Sequence, residues 1–287
     1  MENRVIDQLL FEIRTNIKSQ SCNISTSDLF FEYHLDNTEI KHKINMFFLF
    51  ETCMDAAFGH WIYESAIYLP YFLELKLKYP ELKILVKQNP KRSYKKLFFT
   101  ALNIDENDIY WLDNEEINDC KTVYMNIPNN NICINTIPHY LNTVQVKNIT
   151  IFKNLIVNFR NTIMNNLNIR YPEEKMIENL FFPRSKIENF ICNDRIINYE
   201  KVYKLLKGKQ YIEYDTMNTI NLKKQIELLV SSKNIFLDWG SSSMVNCLFC
   251  KNSNIYLSCC MIGQLKFEGM TIIYDIHKET NNIINLI

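Results

Sequence analysis

The sequence predicts an α/β protein built from two Rossmann-like domains, and three observations carry that prediction. Short apolar runs of strand-like composition alternate with stretches whose apolar residues recur at helical spacing. The breaks between them are brief and rich in Asn, Asp and Pro, as in parallel sheets covered by helices. The alternation stops once, at a long helical stretch closed by Pro172, and then restarts. With 47% apolar residues in 287, the chain can bury the cores that such domains need.

In the first half, residues 3–19 have the pattern of an amphipathic helix and 47–50 that of a short strand. Residues 59–78 read as one long helix interrupted only by Pro70. "LKILVK" (82–87) is a buried strand, "SYKKLFFTALNI" (93–104) a helix, "DIYWL" (108–112) a strand and "KTVYMNI" (121–127) another. Residues 148–168 form the long helix before "IRYPEEK", so the expected domains are 1–165 and 166–287.

The second half runs "NLFFPRS" (strand, then loop), "NYEKVYKLLKG" (helix stopped by Gly208), "QYIEYD" (strand) and "NLKKQIELLVSS" (helix). It continues with "NIFLDWG" (strand), "SMVNCLFC" (helix), "NIYLS" and "MTIIYDI" (strands). Strands followed by helices in both halves predict two Rossmann-like domains facing each other. No internal repeat or low-complexity tail stands out.

Charge excludes one class of function. Thirty-two basic residues balance 32 acidic ones, so no bulk positive field exists to hold nucleic acid. The N-terminal stretch mixes charges with apolar residues, unlike an export signal, and the longest apolar runs are too short to span a bilayer. A cytoplasmic protein is expected, with peripheral contact at a membrane surface left open. Nine scattered cysteines are then expected to be reduced. Cys247, Cys250, Cys259 and Cys260 could suggest zinc, but they fall in apolar runs that read as core, and no metal is expected.

The segment "FLDWGSSSMVNCLF" (236–249) breaks the habits of a chain with only 5 glycines. Asp238, Trp239 and Gly240 end a strand, and Ser241, Ser242 and Ser243 open the next helix. Small residues let a backbone approach a ligand closely, and free N–H groups at a helix start favour an anion. The serines can equally be simple helix caps. Pro183, Arg184 and Ser185 follow "NLFF" in the same way, and the Arg184 guanidinium suits a phosphate or a carboxylate. As a lone residue it could also be a surface ion-pair partner. Ligands of open α/β sheets bind beyond the carboxyl ends of strands, where both segments fall.

In the first half, His60 and Glu64 stand four apart, on one face of a helix. An imidazole held by a carboxylate is suited to general-base work near neutral pH. A histidine that merely caps or packs the helix start fits the same spacing.

The order "GHWIYES", "FFPRS", "RIIN", then "EYDTMNTINLKKQIELLVSSKNIFLDWGSSSMVNCLF" resembles glycosyltransferase family 61 and its bacterial capsular-polysaccharide relatives. Asp215, Gln225, Gly240, Ser242, Asn246 and Phe249 fall on places of the family pattern, and the resemblance covers roughly residues 55–260. Trp239 departs from it, since many relatives carry a His or a small residue there. The resemblance implies a GT-B transferase that moves a sugar, with inversion and without a bound metal or other cofactor, from a nucleotide-sugar donor to a glycan acceptor. Together with the chemistry of the two strand ends, this assigns Arg184, Ser185, Asp215, Asp238, Gly240, Ser241, Ser242, Ser243 and Asn246 to the donor. His60 and Glu64 would serve the acceptor hydroxyl.

Overall fold

The computed structural model describes residues 23–26, 30–34, 44–48, 58–86, 94–111, 120–126, 149–183, 199–214, 221–238, 245–258 and 280–287. The helix expected at 3–19 and the strand expected at 270–276 lie outside them. The chain divides into two compact units, Met1–Asn130 and Asn131–Ile287, each holding one sheet. The architecture is mixed α/β, as the sequence predicts.

The first unit contains β1 (Asn23–Thr26), β2 (Phe30–His34), β3 (Ile44–Phe48), α1 (Phe58–Glu64), α2 (Leu69–Lys78), β4 (Lys83–Val86), α3 (Tyr94–Ala101), β5 (Ile109–Trp111) and β6 (Cys120–Asn126). Its sheet has the order β1-β2-β6-β3-β4-β5. From β6 to β5 all neighbours are parallel, whereas β1 and β2 add antiparallel strands at the β6 edge. The run β5-β4-β3-β6 is the strand order of a Rossmann half, in which the chain reverses direction between β3 and β6.

The helix expected over 59–78 is divided earlier than Pro70. Ser65 forms a turn, residues Ala66–Tyr68 form a 3₁₀ segment, and α2 begins at Leu69. Pro70 occupies the first turn of α2, where its missing N–H costs nothing, so it starts a helix and does not interrupt one. Trp61, Ile62 and Tyr63 are all fully buried, so α1 is enclosed by the core. The Trp61 ring meets Tyr94, Phe98 and Phe99 of α3 with centroids 5.6, 6.1 and 6.0 Å away. Successive right-handed crossovers in one direction put α1 and α3 on the same face of the sheet, which explains the contact.

The second unit contains α4 (Ile149–Asn166), β7 (Ile177–Phe182), α5 (Tyr199–Leu206), β8 (Ile212–Glu213), α6 (Leu222–Ser231), β9 (Ser232–Asp238), β10 (Asn254–Ser258) and β11 (Ile283–Leu286). All five strands are parallel, in the order β11-β10-β9-β7-β8. Strand alternation divides the side chains between the two faces. On one face Phe181 and Phe236 pack against Val202 and Leu206 of α5, and Tyr256 stacks on Phe236 at 4.6 Å. Burying an aromatic such as Phe181 contributes about 1.5–3 kcal/mol. Helix α6 lies along β7 and β9. Since the chain moves outward to β8 and then back past β7, right-handed crossovers place α5 and α6 on opposite faces.

Asparagine takes over a role that glycine usually fills. Asn103 and Asn168 adopt φ 57 and 56 just beyond α3 and α4. The following amides bond back to the helices, Ile104 N to Phe99 O at 2.9 Å and Ile169 N to Met164 O at 2.8 Å. These are helix stops of the left-handed type, and Asn is the residue that tolerates them best after glycine. Thus α4 ends at Asn166, before Pro172 is reached. Gly208 (φ 76) follows α5 as expected, with open space around it, so backbone conformation alone demands glycine there. Of the helix expected over 243–250, Val245–Cys247 are helical, and a tight turn closes it at Leu248–Phe249. Its bonds run from Leu248 to Val245, Phe249 to Asn246 and Cys250 to Cys247, each a three-residue step.

Candidate functional site

The order of the parallel sheet selects one place on its carboxyl edge. Numbered by sequence, β8-β7-β9-β10-β11 is the doubly wound order in which the chain reverses direction between β7 and β9. Neighbouring strands at that point send their following segments to opposite faces, and a crevice opens between them. Phe182 at the end of β7 is in register with Leu237 of β9. The segment beginning Pro183-Arg184-Ser185 therefore leaves the sheet beside the one beginning Asp238-Trp239-Gly240. Both segments flagged by the sequence begin at strand ends that border the switch point.

Described residues frame this edge. Tyr214, just after β8, donates its amide to Phe181 O at 2.9 Å and sets its ring against Phe182 at 5.6 Å. Its hydroxyl reaches Asn221 O at 3.3 Å, which closes the neck of the 215–220 segment. Asn221 in turn caps α6, accepting from Lys224 N at 2.9 Å. One turn further on, Gln225 Nε2 donates to Oδ1 of Asn246, which is buried. The first turn of α6 thus touches the chain on both sides of the candidate segments.

The predicted residues fall into three groups. Asn246 is fully placed: its amide oxygen is engaged by Gln225, and its backbone carbonyl accepts from Cys250 Sγ at 3.4 Å. His60 and Glu64 are the third and last residues of α1, whose helical backbone provides the one-turn spacing that the sequence predicts, and Asp238 is the last residue of β9. Their side chains lie outside the described residues. So do Arg184, Ser185, Asp215, Gly240, Ser241, Ser242 and Ser243. His60 stands in the helix that follows β3, the strand at the first sheet's own reversal point.

Cys247 and Cys250 are buried free thiols. Burial pushes the Cys250 thiol up to about 12, and it pushes Cys247 well above the usual range. A thiol held protonated is a poor metal ligand. Among the described residues no three His, Cys, Asp or Glu side chains converge as a metal site would require, and no helix is long and apolar enough to cross a membrane.

Two polar residues were not read as important from the residues alone. Gln225 falls on the apolar stripe of α6, beside Leu222, Ile226 and Leu229; a polar side chain on such a stripe signals a buried partner. Lys95 falls likewise on the stripe of Phe98, Phe99 and Leu102, and it is 1% exposed with Nζ 5.8 Å from the Trp61 ring centroid. No protein-family model matches the chain, and no curated protein matches it.

Proposed function

We propose that the protein is an inverting glycosyltransferase, moving a sugar from a nucleotide-sugar donor to a glycan or polysaccharide acceptor without a bound metal. The finer form of this reading is a GT-B enzyme, with the donor assigned to the second unit and the acceptor to the first. One observation supports it: the strand order puts the ends of β7 and β9, which the Arg184 and Gly240–Ser243 segments follow in sequence, at the switch point of the parallel sheet. A doubly wound sheet binds nucleotides at this place, and an arginine with a run of backbone N–H groups matches a diphosphate.

Inversion needs one base to take the acceptor proton as the hydroxyl attacks the anomeric carbon. The leaving diphosphate needs positive or dipolar groups around its developing charge. His60, oriented by Glu64, is assigned the first task. Arg184, Ser185 and the 240–243 turn take the second, with Asp215 and Asp238 at the same edge.

A second reading has support in Trp239 and in the scarcity of glycine: a nucleotide- or sugar-binding protein that has lost transfer. Incubating the purified protein with a panel of nucleotide sugars, without acceptor, separates the two. A transferase slowly releases free nucleotide from one donor, at the same rate with or without EDTA. Binding without release establishes the second reading. Activity lost in EDTA and restored by manganese would overturn the metal-free mechanism and make Asp238 the first ligand to test.

A further inference from the structure

The strands of the second sheet are all parallel, so their first residues line one amino edge, opposite the edge of the candidate site. The last turn of α5 lies at that edge too, because only residues 207–211 join it to β8. Six large apolar side chains are exposed there: Met176 before β7, Tyr203 and Leu205 in α5, Tyr211 and Ile212 where β8 starts, and Ile283 at the start of β11. Among the described residues, α4 and α6 together expose one, Val157. Five of the six gather at the β7–β8 corner. Tyr203 sets its ring 5.7 Å from Phe181, whose register partner is Glu213 of β8. Ile283 marks the far end, four strand spacings away, or about 19 Å. Met176 is 78% exposed and Ile283 59%, and apolar area gathered on one edge in this way marks an interaction surface.

The charges at this edge say what the surface suits. Counting Arg170 and Lys233, seven cations face four carboxylates (Glu173, Glu174, Glu178 and Glu213), in a chain whose net charge is zero. Lys233 is matched by Glu178 at 3.1 Å. Among the described residues, none of Lys175, Lys204, Lys207, Lys209 and Lys251 pairs with a carboxylate. Lys175 Nζ turns to Val230 O at 2.6 Å, and Lys251 Nζ lies 5.3 Å from the centroid of the Tyr171 ring. We propose that the amino edge of the second sheet is a docking surface for an anionic lipid bilayer. Tyrosines and Met176 enter the headgroup layer, where an apolar body with a polar tip is at home, and the lysines meet lipid phosphates. A second copy bound through the same edge would set lysines against lysines. A solvated charged face would have no use for the apolar side chains. The proposal does not depend on the transferase reading; where both hold, the carboxyl edge is left open to nucleotide from water.

The test is flotation of the whole chain with vesicles of phosphatidylglycerol and phosphatidylcholine, and with vesicles of phosphatidylcholine alone, at low and high salt. Wild-type protein should float with the anionic vesicles only, and rising salt should release it. A lysine near such a surface contributes about fivefold, so Lys204→Gln, Lys207→Gln and Lys209→Gln together should weaken binding about a hundredfold. Met176→Ser with Tyr211→Ser should weaken it about tenfold and leave its salt dependence unchanged. Lys223→Gln with Lys224→Gln removes charge from the first turn of α6, at the opposite edge, and should change binding little. All these side chains are exposed, so melting temperatures should match the wild type. No flotation with anionic vesicles overturns the proposal, as does an equal loss in the Lys223 and Lys224 variant. Retention on an acidic polysaccharide without vesicle binding would assign the edge to a glycan and overturn the bilayer. A dimer that Met176→Ser with Tyr211→Ser abolishes, again without vesicle binding, would assign it to a second copy.

Discussion

Asn254 Nδ2 lies 2.9 Å from Asn234 Oδ1, and the two residues are partners in the β9–β10 register. The chain of bonds continues, because Asn234 Nδ2 reaches Asn179 Oδ1 at 3.2 Å and Asn179 Nδ2 reaches Gln210 O at 2.9 Å. Three strands thus carry asparagines side by side at the start of the parallel sheet, opposite its carboxyl edge. In-register amides of this kind link neighbouring strands much as stacked ladders do in fibrils. Together with the left-handed helix stops, they give the chain's many asparagines structural work.

Asn234 is the middle rung, so its removal breaks two links at once. Asn234→Ala should destabilise the second unit by about 1–3 kcal/mol, since the largely buried Asn179 loses a partner. Urea unfolding followed by Trp239 fluorescence measures this. Asn254→Ala removes only the end rung and should cost less.

Acid sensitivity should come from Asp108. Its carboxylate lies 2.9 Å from Lys76 and 3.1 Å from Lys83, tying the end of α2 and the start of β4 to β5. Partial burial would raise its pKa, but the hydrogen bonds and charges of the two lysines outweigh this and hold it below 3.8. A depressed folded pKa means that the stabilisation is complete above the unfolded value. It is lost as pH falls below 3.8 and through the folded pKa. Asp108→Asn should remove roughly 1–2 kcal/mol at neutral pH and flatten the acid side of the stability profile. A variant with the wild-type acid profile would remove Asp108 from that account.

The elements legible in the sequence are those whose buried faces leave a period. The runs 108–112 and 121–127 became β5 and β6, and 82–87 and 179–182 became β4 and β7, parallel strands inside their sheets of the kind that needs near-continuous apolar sequence. β1 and β2 were missed: "NIST" and "FFEYH" are short and half polar, as suits an antiparallel pair whose outer strand, β1, is the sheet edge. β11 was missed for a similar reason, since its "IINL" is an edge strand with Ile283 59% exposed. The break at Ser65 was hidden because Tyr63, Ser65, Ala66, Ile67 and Tyr68 are all buried, so period alone continues through it. For the site, the ends of β7 and β9 were legible as the points where the candidate segments begin. The Gln225–Asn246 bond could not be read, because the two polar residues declare themselves as partners only once β9 brings their segments together.

Arg184 gives the direct test of the donor site. It is the second residue beyond β7, one of the two strands between which the sheet order reverses. A charge-assisted bond to a diphosphate makes Arg184→Ala cost about 1.5–3 kcal/mol in nucleotide-sugar affinity. Ser242→Leu should block the same site by filling the space that small residues leave open. An unchanged dissociation constant in both variants would move the ligand elsewhere.

His60 carries the boldest expectation. It lies in the first turn of α1, between Gly59 and the fully buried Trp61, in the helix that follows the reversal strand of the first sheet. A positioned general base accelerates its step by about 100-fold or more, so His60→Ala should cut turnover by at least that factor. Nucleotide-sugar affinity should stay near the wild-type value, because the proposed donor residues belong to the other unit. Glu64→Gln should cause a smaller loss, since a carboxylate one turn away orients the imidazole and stabilises its charged form without touching substrate. A packing role leaves a different signature. Trp61 is locked against α3, so a disturbed helix start would lower the melting temperature while turnover at low temperature stayed nearly normal. Folded His60→Ala protein with wild-type turnover would exclude His60 as the base and leave Glu64 as the next group to test.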